Sequence, residues 1–148
     1  MSSSELNNLV RTKDLKVEPG DQKEFDGLLV SARARLADAQ RADLALESQF
    51  DLAYNAAHAL SLAALRWHGY RPDQKRYIVF QCLQHTLGLG PEVWRVLDRA
   101  HRARNSIEYE GALDVDKRMV VDLLKAAGIV RSKVEALGPV PGNKTVRA

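Results

Sequence analysis

The stretch ESQFDLAYNAAHALSLAALRWH, residues 47–68, decides the fold class. Phe50, Ala53, Tyr54, Ala57, Leu60, Ala64 and Leu65 recur at steps of three and four, the spacing that lines one face of an α-helix. Small residues fill much of the remaining surface, so neighbouring helices can approach on more than one side.

The same period extends in both directions. Upstream, Asp21 reads as an N-cap, and Phe25, Leu28, Leu29, Ala32, Leu36 and Ala39 predict a helix to about Leu46, with Arg33, Arg35 and Arg41 on its solvated side. Ser3 or Ser4 before Glu5, Leu6, Leu9 and Val10 predicts a short helix, closed off by Pro19 and Gly20. Residues 1–20 thus read as an N-terminal arm. Downstream, residues 69–73 read as a turn, because glycine ends helices and Pro72 disfavours helix in the residue before it. A fourth helix is expected over Gln74 to Leu87. Pro91 suits the first position of a fifth helix that reaches Tyr109, with Gly111 as its stop. Met119, Leu123, Ala127, Val130, Val134 and Leu137 form one stripe of a sixth helix from about Asp114, which Gly128 would bend or interrupt. The PVPGNKTVRA tail, residues 139–148, reads as disordered. No stretch alternates with period two. The expectation is an all-α chain: an up-and-down bundle of about five main helices over residues 21–138, plus the helical arm.

Composition narrows the function classes. The chain has 148 residues and 45% hydrophobic content, enough for one core. Lys and Arg total 22 against 19 Asp and Glu, a net charge of +3, so a polyanion would be held only where basic groups cluster. A lone Cys82 cannot form an intramolecular disulfide and reads as a small apolar core residue of a reducing compartment. The polar N-terminus lacks a leader's apolar segment and no run is long enough to cross a bilayer, so the expected location is the cytoplasm, with no membrane partner.

The fifth helix carries the chemistry. Stepping about 100° per residue puts Val93, Val96, Leu97, Ala100 and Ile107 on one arc, with Arg104 in its middle. An arginine on an apolar arc demands a carboxylate or a wet cleft, and Glu108, one turn on, is the local carboxylate. His101, Asn105 and Tyr109 follow at i, i+4 and i+8, so five polar side chains line one edge. Arg95, Arg99 and Arg102 form a basic stripe on the other side, either a nucleic-acid contact through phosphates or a solvated face.

From Arg104 to Tyr109, RNSIEY, the sequence resembles the HEPN domains of bacterial defence and toxin–antitoxin systems, and the resemblance spans most of the chain. That family implies a bundle of four or five helices, commonly a homodimer, with an RNA- or nucleotide-related role and often a nucleotidyltransferase partner. Its hallmark is an arginine, a polar residue and then a histidine, set in a composite cleft of ribonucleolytic members. Arg104 and Asn105 match the start of this motif. Tyr109 stands where the histidine would be, and a phenol with a pKa near about 10 does not exchange protons at neutrality as imidazole does. The resemblance thus implies weak or absent ribonuclease activity, metal-independent and cofactor-free if present. Arg104 would bind phosphate, Asn105 orient the site and Tyr109 supply a hydroxyl, with the RNA 2′-hydroxyl as nucleophile and His101 or Glu108 as proton acceptor. The alternative is a non-catalytic module whose fifth helix forms a dimer or partner seam.

The other candidates have ordinary structural readings beside the functional ones. His58 and His68 point about 80° apart on one helix and His85 lies on another, so no metal site is expected. Trp67, Tyr70 and Arg71 with Trp94 form either an aromatic and basic platform for bases or core and helix-end anchors.

Overall fold

The computed structural model describes residues 4–110 and 115–142, and of residues 106–110 the backbone alone. Seven helices and one small ribbon make up these residues: α1 (Ser4–Arg11), β1 (Leu15–Val17), α2 (Gln22–Ala39), α3 (Leu46–Trp67), β2 (Tyr70–Pro72), α4 (Ile78–Gln81), α5 (Leu83–Thr86), α6 (Pro91–Glu110) and α7 (Lys117–Glu135). The chain is mostly helical, and among the described residues no helix is long and apolar enough to cross a membrane.

The alanine-rich α3 is the centre of the bundle. It packs between α2 and α7 and also meets α4, α5 and α6. Ala53, Ala56, Ala57, Ala63 and Ala64 are fully buried on more than one side of it, because a methyl group lets a neighbouring backbone come close. Helix α2 begins where expected: the Asp21 carboxylate accepts from the Lys23 N–H at 3.0 Å. It ends at Ala39 rather than near Leu46, since Arg41 pairs with Asp43 at 2.8 Å and Gln49 donates to the Arg41 carbonyl in the turn that sends the chain back as α3. Asp116 caps α7 by accepting from the Met119 N–H at 2.8 Å. The helix runs through Gly128 unbroken.

Three expectations fail for reasons of tertiary packing. The predicted helix over 74–87 is instead two single turns, α4 and α5, meeting at Cys82 and preceded by an irregular segment. Ile78, Val79, Phe80, Cys82 and Leu83 are all buried, and bonds back by three residues, such as Phe80 N–H to the Tyr77 carbonyl, tighten the turns. Burial holds the Cys82 thiol up at about 12, so it stays an inert thiol of the core.

The residues 69–73 read as a plain turn contain β2, which pairs antiparallel with β1 in the register Leu15 with Pro72 and Val17 with Tyr70. Three-residue strands are too short to show alternation, and Pro72 sits at a ribbon end, where its missing N–H costs no ladder bond. This ribbon turns the supposed arm into part of the core. Leu6 and Leu15 are fully buried, and the Tyr70 hydroxyl donates to Asn7 Oδ1 at 2.6 Å.

The tail is likewise not free over its described part. Val140 is buried and donates its N–H to Gln22 Oε1 at 2.7 Å, while the Trp67 indole donates to the Gly138 carbonyl at 3.1 Å. A Cβ on Gly20 would sit 2.6 Å from Val140 Cγ1, so the two segments touch where no side chain fits. Residues 143–148 lie outside the described residues. Val140→Ala is expected to cost about 2 kcal/mol by urea denaturation, the range for emptying a buried aliphatic site; a loss under about 0.5 kcal/mol would mean the strap does not bear on stability.

The clamp between ribbon and bundle is Arg66, near the end of α3, whose side chain is only 2% exposed. Its Nε donates to Glu24 Oε1 at 2.8 Å, Nη1 to the Glu18 and Tyr70 carbonyls at 2.8 and 3.2 Å, and Nη2 to the Pro19 carbonyl at 2.8 Å. Nη2 also lies 3.4 Å from Glu18 Oε2. Arg71 completes the network, reaching Glu18 at 2.8 Å and Glu24 at 2.7 Å. The hydrogen bond from Arg71 holds the Glu18 carboxyl below its ordinary range. At Glu24, burial pushes the other way, but the bonds from Arg66 and Arg71 prevail and its pKa is lowered.

Candidate functional site

Helix α6 lays His101, Arg104 and Asn105 along the edge that faces α3. From α3 come Tyr54, Asn55 and His58, at i, i+1 and i+4, and the irregular segment before α4 supplies Arg76 and Tyr77. These side chains enclose a cleft of about 260 Å³. A larger hollow of about 460 Å³ lies between α2 and the end of α7, but it gathers apolar side chains and the Arg33–Glu135 pair rather than a constellation of reactive groups.

His101 links both helices of the cleft. Its ring stacks on Tyr77, with centroids 4.6 Å apart and planes 20° from parallel. Nδ1 lies 3.2 Å from the Tyr54 hydroxyl and Nε2 lies 3.3 Å from Asn105 Nδ2. With the amide so oriented, Asn105 donates to Nε2, which assigns the ring proton to Nδ1 and directs it at the Tyr54 oxygen. His101 thus bridges two helices with both nitrogens engaged.

Arg104 solves the problem of a guanidinium on an apolar arc with a carboxylate from another helix. Its Nη1 is 2.8 Å from Asp51 Oδ1, and its Cζ lies 4.9 Å from the centroid of the Tyr54 ring. The side chain is 29% exposed, so the group stays wet at one edge. Val93, Leu97 and Ala100 on the same arc are buried as expected. The local partner considered for Arg104, Glu108, and the motif tyrosine Tyr109 lie outside the described side chains, as does Ile107.

His58 forms the floor. It is 8% exposed, packs edge-on against Phe80 at 5.8 Å, and its neutral ring donates from Nε2 to the Arg76 carbonyl at 3.2 Å. Burial, then the positive charges of Arg76 and Arg104, push its pKa down to about 4. The bond from His58 Nε2 to the Arg76 carbonyl pins the Arg76 backbone at the rim. Among the described residues the lining holds two guanidiniums and no carboxylate, and Asp51 lies beside it, paired with Arg104. Among the described residues no group of His, Cys, Asp or Glu is placed to hold a metal ion.

The structure brings together His101, Arg104 and Asn105, and separates them from the basic stripe. Arg95, Arg99 and Arg102 are exposed on another side of α6: Arg102 pairs with Asp98 at 2.6 Å, Arg95 lies over Trp94 at 5.7 Å, and Arg99 borders a hollow shared with Asp116 and Asp122. The acidic neighbours dilute the stripe. The aromatic platform is not assembled either. Tyr70 is buried, Arg71 is held by Glu18 and Glu24, Trp67 anchors Gly138, and Trp94 packs against the core. His68 bonds to the Thr86 carbonyl at 2.9 Å, a structural role.

Sequence reasoning missed Asp51, Tyr54, Asn55, His58, Arg76 and Tyr77. One signal was present: Asn55 and His58 interrupt the alanine-rich face of α3 at helical spacing with Asp51, placing three polar groups on one strip. Nothing local marks Arg76 and Tyr77, which reach the cleft only because the predicted helix start at Gln74 does not form.

Comparison with protein-family models, with curated proteins and with solved structures finds no match to this chain.

Proposed function

We propose that the cleft between α3 and α6 binds RNA through its phosphates, in a HEPN-like protein of weak or no ribonuclease activity. The observation that carries this reading is the convergence of Arg104 and Arg76 with two imidazoles, two phenols and two amides, with no carboxylate among the described residues of the lining. Guanidinium groups suit phosphate oxygens, and Tyr77 offers a ring on which a base can stack. The link to bacterial defence or toxin–antitoxin systems, the cytoplasmic setting, the homodimer and the nucleotidyltransferase partner rest on the resemblance at Arg104–Asn105.

Binding is favoured over catalysis by the state of His101. A general base needs a free lone pair within reach of the proton it takes, and here Nε2 already accepts from Asn105. Cleavage would require that amide to turn away. His58 is held by burial as a neutral donor to a backbone carbonyl. The existence of a concave polar cleft beside α6 also favours a ligand over the alternative of a plain partner seam.

The test is fluorescence anisotropy with a labelled single-stranded RNA. Arg104→Ala is expected to weaken binding about tenfold or more, the cost of losing a charge-assisted contact, and to reduce the salt slope by about one. A mixed RNA pool with EDTA present is expected to stay largely intact with either protein. Metal-independent cleavage abolished in Arg104→Ala would assign a ribonuclease; a folded wild type with no RNA affinity would end the RNA reading.

A further inference from the structure

The free protein already places an anion on Arg104. Asp51 Oδ1 lies 2.8 Å from Nη1, yet the two partners differ in setting: the Asp51 side chain is 58% exposed and that of Arg104 is 29% exposed. The aspartate backbone is fixed, since α3 runs through it and Asn55 Nδ2 donates to its carbonyl at 2.9 Å. Its carboxylate has open solvent beside it. The guanidinium is fixed independently of Asp51, because it lies over the Tyr54 ring and the Tyr54 hydroxyl is in turn tied to His101.

We propose that Asp51 is an internal competitor for the anion this cleft takes, its carboxylate occupying Arg104 until a phosphate group of RNA or of a nucleotide displaces it. The inference rests on the phosphate-binding reading of the cleft and adds the residue that sets its threshold. A solvated carboxylate on one edge of an arginine is held weakly, so moving it into water costs little. A phosphate brings more charge and several acceptor oxygens, and Arg76 at the rim adds a second cation for it. A lone carboxylate ligand has no such advantage over Asp51, so the pair selects phosphates against small organic acids.

Asp51→Asn keeps the side-chain shape and removes the competitor. It is expected to tighten binding of the labelled RNA about 1.5- to fivefold, the range for releasing one exposed ion pair, with the urea midpoint little changed. In an Arg104→Ala background the same substitution is expected to change nothing. Inorganic phosphate serves as the second probe: the concentration giving half of the full rise in melting temperature should fall by a similar factor in Asp51→Asn.

The outcomes separate the two claims. RNA binding that depends on Arg104 but is indifferent to Asp51→Asn overturns the competitor and leaves the RNA reading standing. Equal tightening with and without Arg104 also overturns it, because that is a general field effect. Phosphate behaving as expected while RNA fails to bind retains the competitor and ends the RNA reading. Neither probe responding to Arg104 overturns both.

Discussion

Arg66→Ala is expected to lower the stability of the protein by about 3–5 kcal/mol, the usual cost of removing one partner of a buried ionic network. Small domains have only about 5–15 kcal/mol in total, so a clear fall in the urea midpoint follows. Four hydrogen bonds engage this guanidinium, from Nε to Glu24 and from Nη1 and Nη2 to the Glu18, Tyr70 and Pro19 carbonyls, and Nη2 also lies 3.4 Å from the Glu18 carboxylate. Truncation leaves three main-chain acceptors at a buried junction without this donor, and leaves Glu24 dependent on Arg71. The junction joins α2, α3 and the β1–β2 ribbon, so the damage is not local. Arg66→Met separates packing from charge. It restores most of the volume but none of the donors, and should recover less than half of the loss. Arg71→Ala should cost less than Arg66→Ala, because Arg71 is 30% exposed and its pairs are screened. An Arg66→Ala protein within about 1 kcal/mol of wild type would show that packing alone closes the junction.

Stability should also fall as pH drops below neutrality, with His58 as the cause. The folded protein holds this imidazole neutral down to about 4, whereas in the unfolded chain it titrates near about 6.5. Between those values the unfolded state binds more protons than the folded one. Acidification therefore favours unfolding, and the stabilisation present above about pH 6.5 is lost progressively down to about pH 4. Two-state linkage gives a loss of about 2 kcal/mol from about pH 7.5 to about pH 5 and about 3 kcal/mol by about pH 4. The depressed carboxyls act in the same direction but later: Glu18, Glu24 and Glu135 lose their contribution only as pH falls below their ordinary range near about 4.5. Urea midpoints at about pH 7.5 and about pH 5 thus isolate the histidine. His58→Gln, which keeps a donor for the Arg76 carbonyl, should flatten that interval; an unchanged slope in the variant would assign the effect to other groups.

The helices of this protein are legible one by one. Asp21 as an N-cap, Pro91 at a first turn and the three-and-four spacing of Phe50 to Leu65 are local statements, carried by φ/ψ preferences and side-chain periodicity that a segment has before it meets any other. The arc of α6 was legible for the same reason, and so was the oddity of Arg104 within it. Its ion pair with Asp51 at 2.8 Å was not, because that carboxylate lies 53 positions away in the chain. Leu6, Leu15 and Val140 were read as belonging to loose ends because a short apolar segment is uninformative alone; burial against the bundle gives it meaning.

By itself, then, the sequence determined that the chain is helical, that α3 is packed on several sides, and that His101, Arg104 and Asn105 share one edge, since each follows from spacing within one helix. Only the tertiary structure decided that Tyr54, His58, Arg76 and Tyr77 close that edge into a cleft, that Arg66 is buried while Arg95 and Arg102 are not, and that two three-residue strands tie the N-terminus to the core. The physical reason is range. Periodicity acts over a turn or two of chain, whereas desolvation, ion pairing and close packing depend on which distant residues the fold brings within a few ångströms.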